Sequence, residues 1–125
     1  MVISMGEIFL DSILLTIKNL IVGTDTDTAF DGEIIIHINS ALSTLHELGV
    51  TKEPFRIYSE KETWSDLLEG KKNLDDVKDY VYLRVKVIFD PPSSSYVLTC
   101  MKEMIKELEW RMNVKAEGVE DSDSI

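Results

Sequence analysis

The side chains best suited to chemistry are few, and their spacing argues against a shared site. His37 and His46 are the only histidines, and they lie nine positions apart. On a helix with about 3.6 residues per turn, the two imidazoles would project from opposite faces. Histidines on opposite faces of one helix cannot bind the same metal ion. We therefore interpret each as an ordinary surface or partly buried residue.

Three aspartates between two predicted helices resemble the beginning of a calcium-binding loop. They are Asp25, Asp27 and Asp31. Counted from Asp25, however, Phe30 replaces the glycine of the turn and Ile36 replaces the closing glutamate. The aspartates are better interpreted as residues that form a turn and cap the following helix.

The other candidates for catalysis are also explained by helix structure. Asp75 and Asp76 lie in the first turn of a predicted helix, where the helix dipole favours acidic residues. The serines at 93–95 follow two prolines, have no histidine nearby in the sequence and suit helix capping. Cys100 is the only cysteine, so it has no partner for an intramolecular disulfide. We therefore expect no enzymatic activity, no metal and no cofactor, and a function that depends on surfaces.

Composition narrows the functional classes further. The chain has 125 residues and a net charge of −10, and a chain of this length is normally one domain. The last nine positions contain four acidic residues and no basic one, so we divide the chain into a domain at 1–116 and an acidic tail at 117–125. Such a chain is poorly suited to wrapping DNA, because Lys and Arg supply most non-specific affinity. The first residues lack the basic region of a signal peptide, and charged residues interrupt the apolar run. We therefore expect a soluble, intracellular protein with no membrane segment.

Apolar periodicity predicts an all-α fold, a small bundle of four main helices and one short helix. The intervals are 6–22, 31–48, 64–68, 73–89 and 93–113. The start of the second interval and the end of the fourth are rich in β-branched residues and would also suit strands. In both cases the helical spacing holds over the longer window, so we favour helix. The glycines that would end the first three helices are Gly23, Gly49 and Gly70.

Polar residues before these intervals predict where the helices begin. The capping pairs are Ser4–Glu7, Thr63–Asp66 and Asn73–Asp76. Asp31 marks the start of the second helix. On the first helix, Asp11, Lys18 and Asn19 are expected to face away from the core.

The last helix is the longest predicted element. Asp90-Pro91-Pro92 must end the helix before it, since proline lacks a donor and clashes with the preceding turn. Asp90 or a following serine then caps the next helix. Steps of four, three, four and four predict its buried stripe: Val97, Met101, Met104, Leu108 and Met112. After Asn113 the apolar pattern ends, so we expect 114–125 to form a flexible acidic tail unless a partner orders it.

Eight segments occur in one order along residues 10–116: 10–18, 27–31, 34–40, 48–50, 63–66, 82–85, 89–95 and 105–114. The most specific part is Phe89-Asp-Pro-Pro followed by Glu109-Trp-Arg. Through these segments the chain resembles the head–tail connector (adaptor) proteins of tailed phages that infect Gram-positive bacteria.

The resemblance implies a structural virion protein without catalytic activity. Its α-helical subunit would assemble as a homo-oligomeric ring, usually a dodecamer, beneath the portal protein at the capsid vertex. The ring would extend the DNA channel and offer a platform to a head-closure or tail protein. Assembly would take place in the host cytoplasm. DNA would pass without specific binding, because a net-negative wall repels it.

Two sets of residues are candidates for these contacts. The subunit-interface set is Phe55, Tyr58, Trp64, Trp110 and Arg111. The portal-docking set is Glu117, Val119, Glu120, Asp121 and Ile125. One alternative stays open, an acidic helical regulatory or inhibitor protein that acts on a basic partner as a monomer or dimer. A small enzyme is a second alternative, which rests only on the carboxylates above.

Overall fold

The computed structural model describes residues 11–24, 26–68 and 73–124, with the side chains of the last helix described as far as Glu117. Within these ranges the chain forms five α-helices and no β-strand. The helices are α1 (Ile13–Val22), α2 (Asp31–Glu47), α3 (Trp64–Leu67), α4 (Leu74–Phe89) and α5 (Ser95–Ser124). The predicted all-α bundle of four main helices and one short helix is confirmed, and both strand alternatives are wrong.

The central element is α4, which packs against α2, α5 and α1. The alternating residues Val81, Leu83 and Val85 are all buried, because neighbouring helices cover α4 on more than one side. This coverage explains why its sequence mimics a strand: a helix enclosed on several sides is apolar beyond a single stripe. Every described helix contributes to the core. Its members include Ile13, Ile17, Ile34, Ile38, Leu45, Trp64 and Met112.

Helix α1 begins at Ile13, inside the predicted interval 6–22. Ser12 has an extended backbone, with φ −69° and ψ 127°, and its Oγ accepts a hydrogen bond from the backbone N–H of Leu15. The same hydroxyl donates to the carbonyl of Glu60 at 2.7 Å. An extended residue at position 12 interrupts the predicted helix at 6–22, so that uninterrupted interval is wrong. The predicted Ser4–Glu7 cap lies outside the described residues.

The side chain of Lys18 is buried, although the sequence places it on the solvent side of α1. Only 2% of its surface is exposed, and its ammonium lies 2.9 Å from Oδ1 of Asp31, the first residue of α2. The approach is not aligned for a hydrogen bond, so the contact is an ion pair. A buried ammonium is very unfavourable without a partner. The pair therefore fixes the position of α1 against α2.

The predicted helix caps have different outcomes. Thr63 and Asp66 form a reciprocal capping box at α3, as predicted. Asn73 has a left-handed backbone with φ 60° and makes no capping hydrogen bond with its side chain, so the second capping prediction is wrong. Two of the glycines predicted to end helices, Gly23 and Gly49, have positive φ values, which glycine adopts without strain. The third, Gly70, lies outside the described residues.

The hinge between α4 and α5 has the expected serine cap. The Oγ of Ser94 accepts a hydrogen bond from the backbone N–H of Val97 at 3.3 Å. Asp90 does not cap α5, because its carboxylate instead accepts from Lys86 at 2.7 Å.

The last helix continues beyond Asn113 to Ser124, so its predicted end is wrong and residues 114–124 are helical rather than structureless. Contacts with the body of the subunit extend past Asn113. A Cβ added to Gly49 would lie 3.4 Å from the Cβ of Ala116, which shows how closely α5 passes the end of α2. The sequence also contains no proline after position 113 that would stop the helix.

The loop between α2 and α3 is held in an extended conformation. Asn39 of α2 accepts a hydrogen bond from the N–H of Ile57 at 2.8 Å and donates to its carbonyl at 3.0 Å. Ile57 is fully buried, and Phe55 packs partly against the core. These contacts attach the loop to the body of the subunit.

Among the described helices, none combines the length and the hydropathy needed to cross a membrane.

Replacing Asp31 with Asn tests the buried ion pair. The change leaves the Lys18 ammonium without its counter-charge, so we expect the free energy of unfolding to fall by about 2–3 kcal/mol, less than for a fully buried pair because Asp31 is 28% exposed. Glu33→Gln is the matched control, since it removes one charge from the same helical turn at a 57% exposed side chain. It should cost less than about 0.5 kcal/mol. Urea unfolding measures both, and equal losses would contradict the assignment.

Candidate functional site

Large apolar side chains that remain exposed mark surfaces that another molecule could cover. Among the described residues they are Leu20, Phe30, Ile36, Tyr58, Ile88, Tyr96, Val97, Met104, Trp110 and Val114. Half of them lie on α5. This helix is therefore the first candidate for a functional surface.

The inner face of α5 is anchored in the core by Ile105, Leu108 and Met112. The predicted stripe had Met104 in place of Ile105, which is wrong, because Met104 is 50% exposed. Val97, also predicted to be buried, is 43% exposed. The angle at which α5 crosses α4 decides which of two adjacent apolar residues faces inward, and a pattern in one helix does not contain that angle.

A buried hydroxyl joins α5 to α4. Tyr80 is fully buried, and its hydroxyl donates to Oε2 of Glu109 on α5 at 2.6 Å. The hydroxyl oxygen of Tyr80 also accepts a hydrogen bond from the guanidinium of Arg84. Burial and the hydrogen bond to Glu109 raise the pKa of Tyr80 to about 12, although the charge of Arg84 acts in the opposite direction. The phenol therefore remains a donor at neutral pH.

The guanidinium of Arg84 extends this network to α2. It donates to the hydroxyls of Thr44 and Ser40, each at 3.1 Å, and lies 3.9 Å from the carboxylate of Glu109. One side chain of α4 thus contacts both α2 and α5. The network fixes the orientation of α5, because several hydrogen bonds must break together before it can turn.

A second set of polar contacts holds α5 against the first turn of α4 and the end of α2. The carboxylate of Asp76 lies 3.4 Å from both Arg111 and Lys115. Asn113 donates a hydrogen bond to the carbonyl of Leu48 at 3.1 Å. Contacts at two separate positions define which face of α5 points outward.

Other groups suited to chemistry are engaged in local structure. A shallow depression lies beside the Asp76 contacts, lined by Asn73, Leu74, Asp75, Asp76 and Lys115. Burial, and then the charges of Asp75 and Asp76, raise the pKa of Asp79 above its ordinary value. Within the described part of the chain, no group of three or more His, Cys, Asp or Glu residues could hold a metal ion.

The two histidines make separate contacts. His37 lies 3.8 Å from Glu33, and the Nδ1 of His46 lies 3.1 Å from the carbonyl of Thr51. They do not come together, in agreement with their spacing in the sequence.

The outer face of α5 carries a second regular series of residues, which we call the outer stripe. Its members alternate at steps of four and three: Tyr96, Cys100, Glu103, Glu107, Trp110 and Val114. All six are exposed, Tyr96 by 77% and Trp110 by 68%. Steps of four and three are typical of a helix that packs lengthwise against another element.

The predicted interface residues do not all reach the surface. Tyr58 is 73% exposed on the α2–α3 loop, and Trp110 lies on the outer stripe. Phe55 is partly buried, and Arg111 is partly exposed but pairs with Asp76 and Glu107. The five predicted residues lie on three elements: Phe55 and Tyr58 on the α2–α3 loop, Trp64 on α3, and Trp110 and Arg111 on α5.

Trp64, one of the predicted interface residues, is buried within the subunit and is not available on its surface. It is 1% exposed, its indole N–H donates to Oγ1 of Thr16 at 3.2 Å, and the ammonium of Lys78 lies 5.7 Å from the centre of its ring. The short helix α3 turns the ring inward. A tryptophan in so short an element gives no periodic signal by which the sequence could show its burial.

The predicted portal-docking residues lie at the end of the chain. Glu117 is exposed, and Val119, Glu120 and Asp121 belong to the last turns of α5. Ile125 lies outside the described residues.

Sequence reasoning missed the outer-stripe residues Tyr96 and Cys100 as surface candidates. The sequence does contain a signal for them, because the outer stripe repeats at steps of four and three. This series lies on the polar face of the predicted helix, and two glutamates interrupt its apolar residues.

Replacing Tyr80 with Phe tests the network that positions α5. The unfolded chain loses the phenolic proton near its ordinary pKa of 10.0, whereas the native subunit retains it to about 12. The contribution of Tyr80 is therefore complete below pH 10 and is lost as the pH rises towards 12. Tyr80→Phe should lack that alkaline loss of stability and the late tyrosinate absorbance step, and it should cost about 1 kcal/mol near neutral pH.

The control for this variant is Tyr82→Phe, which removes a hydroxyl from a partly buried tyrosine of the same helix. It should retain the late step in an absorbance titration. If both variants retain it, the hydroxyl of Tyr80 does not hold the proposed position between Glu109 and Arg84.

Comparison with known proteins identifies the family of this chain. The family model described as phage connector protein matches residues 13–119, which include α1 to α4 and most of α5. Neither a curated protein nor a solved structure matches the chain. The resemblance to phage head–tail connectors is confirmed, and the chain belongs to the phage connector protein family.

Proposed function

We propose that this chain is the subunit of a head–tail connector ring beneath the portal at the capsid vertex. The ring, of twelve copies, extends the DNA channel and joins the capsid to a head-closure or tail protein. Subunits are made in the host cytoplasm and remain in the neck of the virion. The observation that carries this proposal is the family match over residues 13–119.

The surface of the subunit supports assembly. The inner face of α5 is buried against the core of its own chain, while Tyr96 and Trp110 of the outer stripe remain exposed. Tyrosine and tryptophan supply large contact areas and are frequent at the energetic centres of interfaces. Tyr58 lies on a different element, and a ring requires two different surfaces on each subunit.

The charge of the chain supports the role of a conduit. A net charge of −10 opposes tight contact with phosphate groups. DNA can then pass through the ring without specific binding.

The end of α5 is our candidate for docking to the portal. It contains the acidic residues Glu117, Glu120 and Asp121 beside the apolar Val119, and Ile125 follows. Acidic residues at the C-terminal end of a helix are unfavourable because of the helix dipole. A basic partner surface would relieve that repulsion.

Replacing Trp110 with Ser tests the assembly surface. We expect ring yield to fall about tenfold or more, with the helical content unchanged, because a truncated hot-spot residue typically costs about 2 kcal/mol of binding. Lys106→Ser is the control, since Lys106 is a 74% exposed side chain on the same helix. Negative-stain imaging and mass measurement provide the readout.

Two results would contradict the proposal. Only small particles under all assembly conditions, including the presence of portal, would favour the acidic regulator instead. Rings that bind duplex DNA tightly and in a salt-sensitive way would exclude the role of a passive conduit.

Truncation after Glu117 tests portal docking. The cut preserves the contacts of Lys115 with Asp76 and of Ala116 with Gly49, so the subunit should keep its free energy of unfolding. Binding to portal particles should be lost, as measured by co-sedimentation. The full-length double variant Glu120→Gln/Asp121→Asn replaces two negative charges with neutral amides and should weaken binding in part. Normal docking of the truncated subunit would refute the assignment.

A further inference from the structure

The first half of α5 buries none of its residues. Residues 95–104 contain six apolar side chains, of which two are partly covered and four are exposed. The next eight residues, 105–112, bury Ile105, Leu108 and Met112 in the core. The start of α5 is therefore more apolar than the core of its own subunit requires.

The four exposed residues form one continuous surface, which we call the apolar patch. Residues three or four positions apart are neighbours on a helix, so each member lies beside another. The members are Tyr96, Val97, Cys100 and Met104. Glu103 borders the patch, whereas the helical repeat places Lys102 on the far side of α5. The patch itself therefore has no charge.

The absence of charge distinguishes this part of the surface within a strongly acidic chain. Residues 91–101 contain no charged side chain, although the protein has a net charge of −10. Two copies of such a chain repel each other, and the repulsion is weakest where the contact has no charge. A basic or an acidic partner would gain no ion pair from the patch. Its occupant is therefore selected by apolar contact.

The order of residues in the patch is complementary to itself. Cys100 lies midway between Tyr96 and Met104, four residues from each. When two such helices pair in antiparallel orientation about Cys100, the aromatic ring of each copy meets the methionine of the other. Contacts between sulfur and an aromatic ring are favourable. A twofold pair requires a self-complementary surface of this kind, so a second copy of the chain fits the patch.

The glutamates beside the patch decide between the two possible orientations. In a parallel pair in register, Glu103 and Glu107 would each lie beside the same residue of the other copy, and opposed like charges disfavour association. In the antiparallel pair, Glu103 lies across from Val97 and Glu107 across from Ser93, which are uncharged. The two Glu103 residues are then offset by six residues, about 9 Å at 1.5 Å per residue. That offset is comparable to the Debye length of about 8 Å at physiological ionic strength.

We propose that two free copies of this chain pair through their apolar patches, with the α5 helices antiparallel and a twofold axis beside Cys100. Tyr96 of each copy packs against Met104 of the other, and Val97 adds apolar area beside them. The inner face of α5 stays against its own core, so the pair forms without any change in the fold of the subunit.

The small size of the patch makes this pair reversible. A stable interface typically has about 20–30 residues on each side, whereas the patch has four members. We therefore expect a dissociation constant of about 10–100 μM, in the range of weak and transient complexes.

The pair and the proposed ring compete for part of the same surface. Tyr96 and Cys100 belong both to the apolar patch and to the outer stripe, so a subunit uses them for one contact at a time. The pair then covers these residues in the free subunit and separates when the subunit joins a neighbour. This consequence rests on the proposed ring, whereas the pair itself does not.

Sedimentation equilibrium of the free protein from roughly 1 μM to 1 mM tests the pair, because this range brackets the expected dissociation constant. Met104→Glu places a charge in the patch and should weaken pairing about tenfold or more. Thr99→Glu is the matched control, since Thr99 is exposed on another side of α5 and receives the same charge. It should change the dissociation constant less than about twofold. Circular dichroism establishes that both variants are folded.

Two results of this measurement would overturn the pair. One is a chain that stays monomeric over the whole range or passes directly from monomer to ring. The other is an equal effect of Met104→Glu and Thr99→Glu.

The native thiol gives an independent measurement. Cys100 of one copy meets Cys100 of the other at the twofold axis, so a short bismaleimide crosslinker should join wild-type chains into a dimer. The control Cys100→Ala/Thr99→Cys moves the thiol by one position to another side of α5. Its crosslinking should be about tenfold slower, since only random collisions bring these thiols together. Equal rates would contradict the contact.

Mixed thiol variants test the orientation. One chain carries Cys100→Ala/Ser93→Cys, the other carries Cys100→Ala/Glu107→Cys, and a tag gives them different masses. The antiparallel pair places position 93 of one chain beside position 107 of the other, so the mixed dimer should predominate. A predominance of dimers between identical chains would indicate a parallel pair and refute the proposed contact.

These outcomes separate the pair from the proposed function. Rings on portal-bearing heads, together with a free subunit that never pairs, overturn the pair and leave the head–tail connector role intact. A pair that forms without rings, even in the presence of portal, overturns the proposed function and leaves the pair.

Discussion

The hydroxyl of Tyr80 joins the helices whose contacts determine which face of α5 points outward. It lies between Glu109 of α5 and Arg84 of α4, and Arg84 also binds two hydroxyls of α2. Three helices therefore meet at one polar cluster at the edge of the apolar core, where Tyr80 is buried and Arg84 and Glu109 are partly exposed. The hydrogen bonds of this cluster form together in one orientation of α5, so the cluster favours that orientation. The face that points away from the core is fixed by the same contacts.

That orientation divides α5 into two functional halves. Ile105, Leu108 and Met112 complete the core of the single chain, whereas Tyr96 and Trp110 remain on the outside. Because the core is closed without a partner, the subunit does not need its neighbours to bury the inner face. The outer stripe then remains uncovered by the rest of the subunit.

Helical periodicity was sufficient to predict the elements, because caps, glycines and the Asp90-Pro-Pro hinge are local signals. The assignments that failed depend on distant residues. Lys18 is buried because Asp31 meets it from another helix, and Trp64 is buried because α3 turns its ring inward. Ile105 replaces Met104 in the core because of the angle at which α5 crosses α4. Tyr58 and Trp110 were selected from their residue type alone, and both side chains are exposed in the folded subunit.

The distribution of charge joins these observations into one physical account. Acidic residues dominate the chain, and the outer stripe and the end of α5 contribute several of them. Repulsion between like subunits would oppose assembly unless cations were placed where neighbours meet. Several cations are instead engaged within the fold, as the ion pairs around Asp76 and Asp31 show. Those pairs fix the positions of the helices and leave excess acidic charge on the exposed surface, where it disfavours close contact with other acidic molecules.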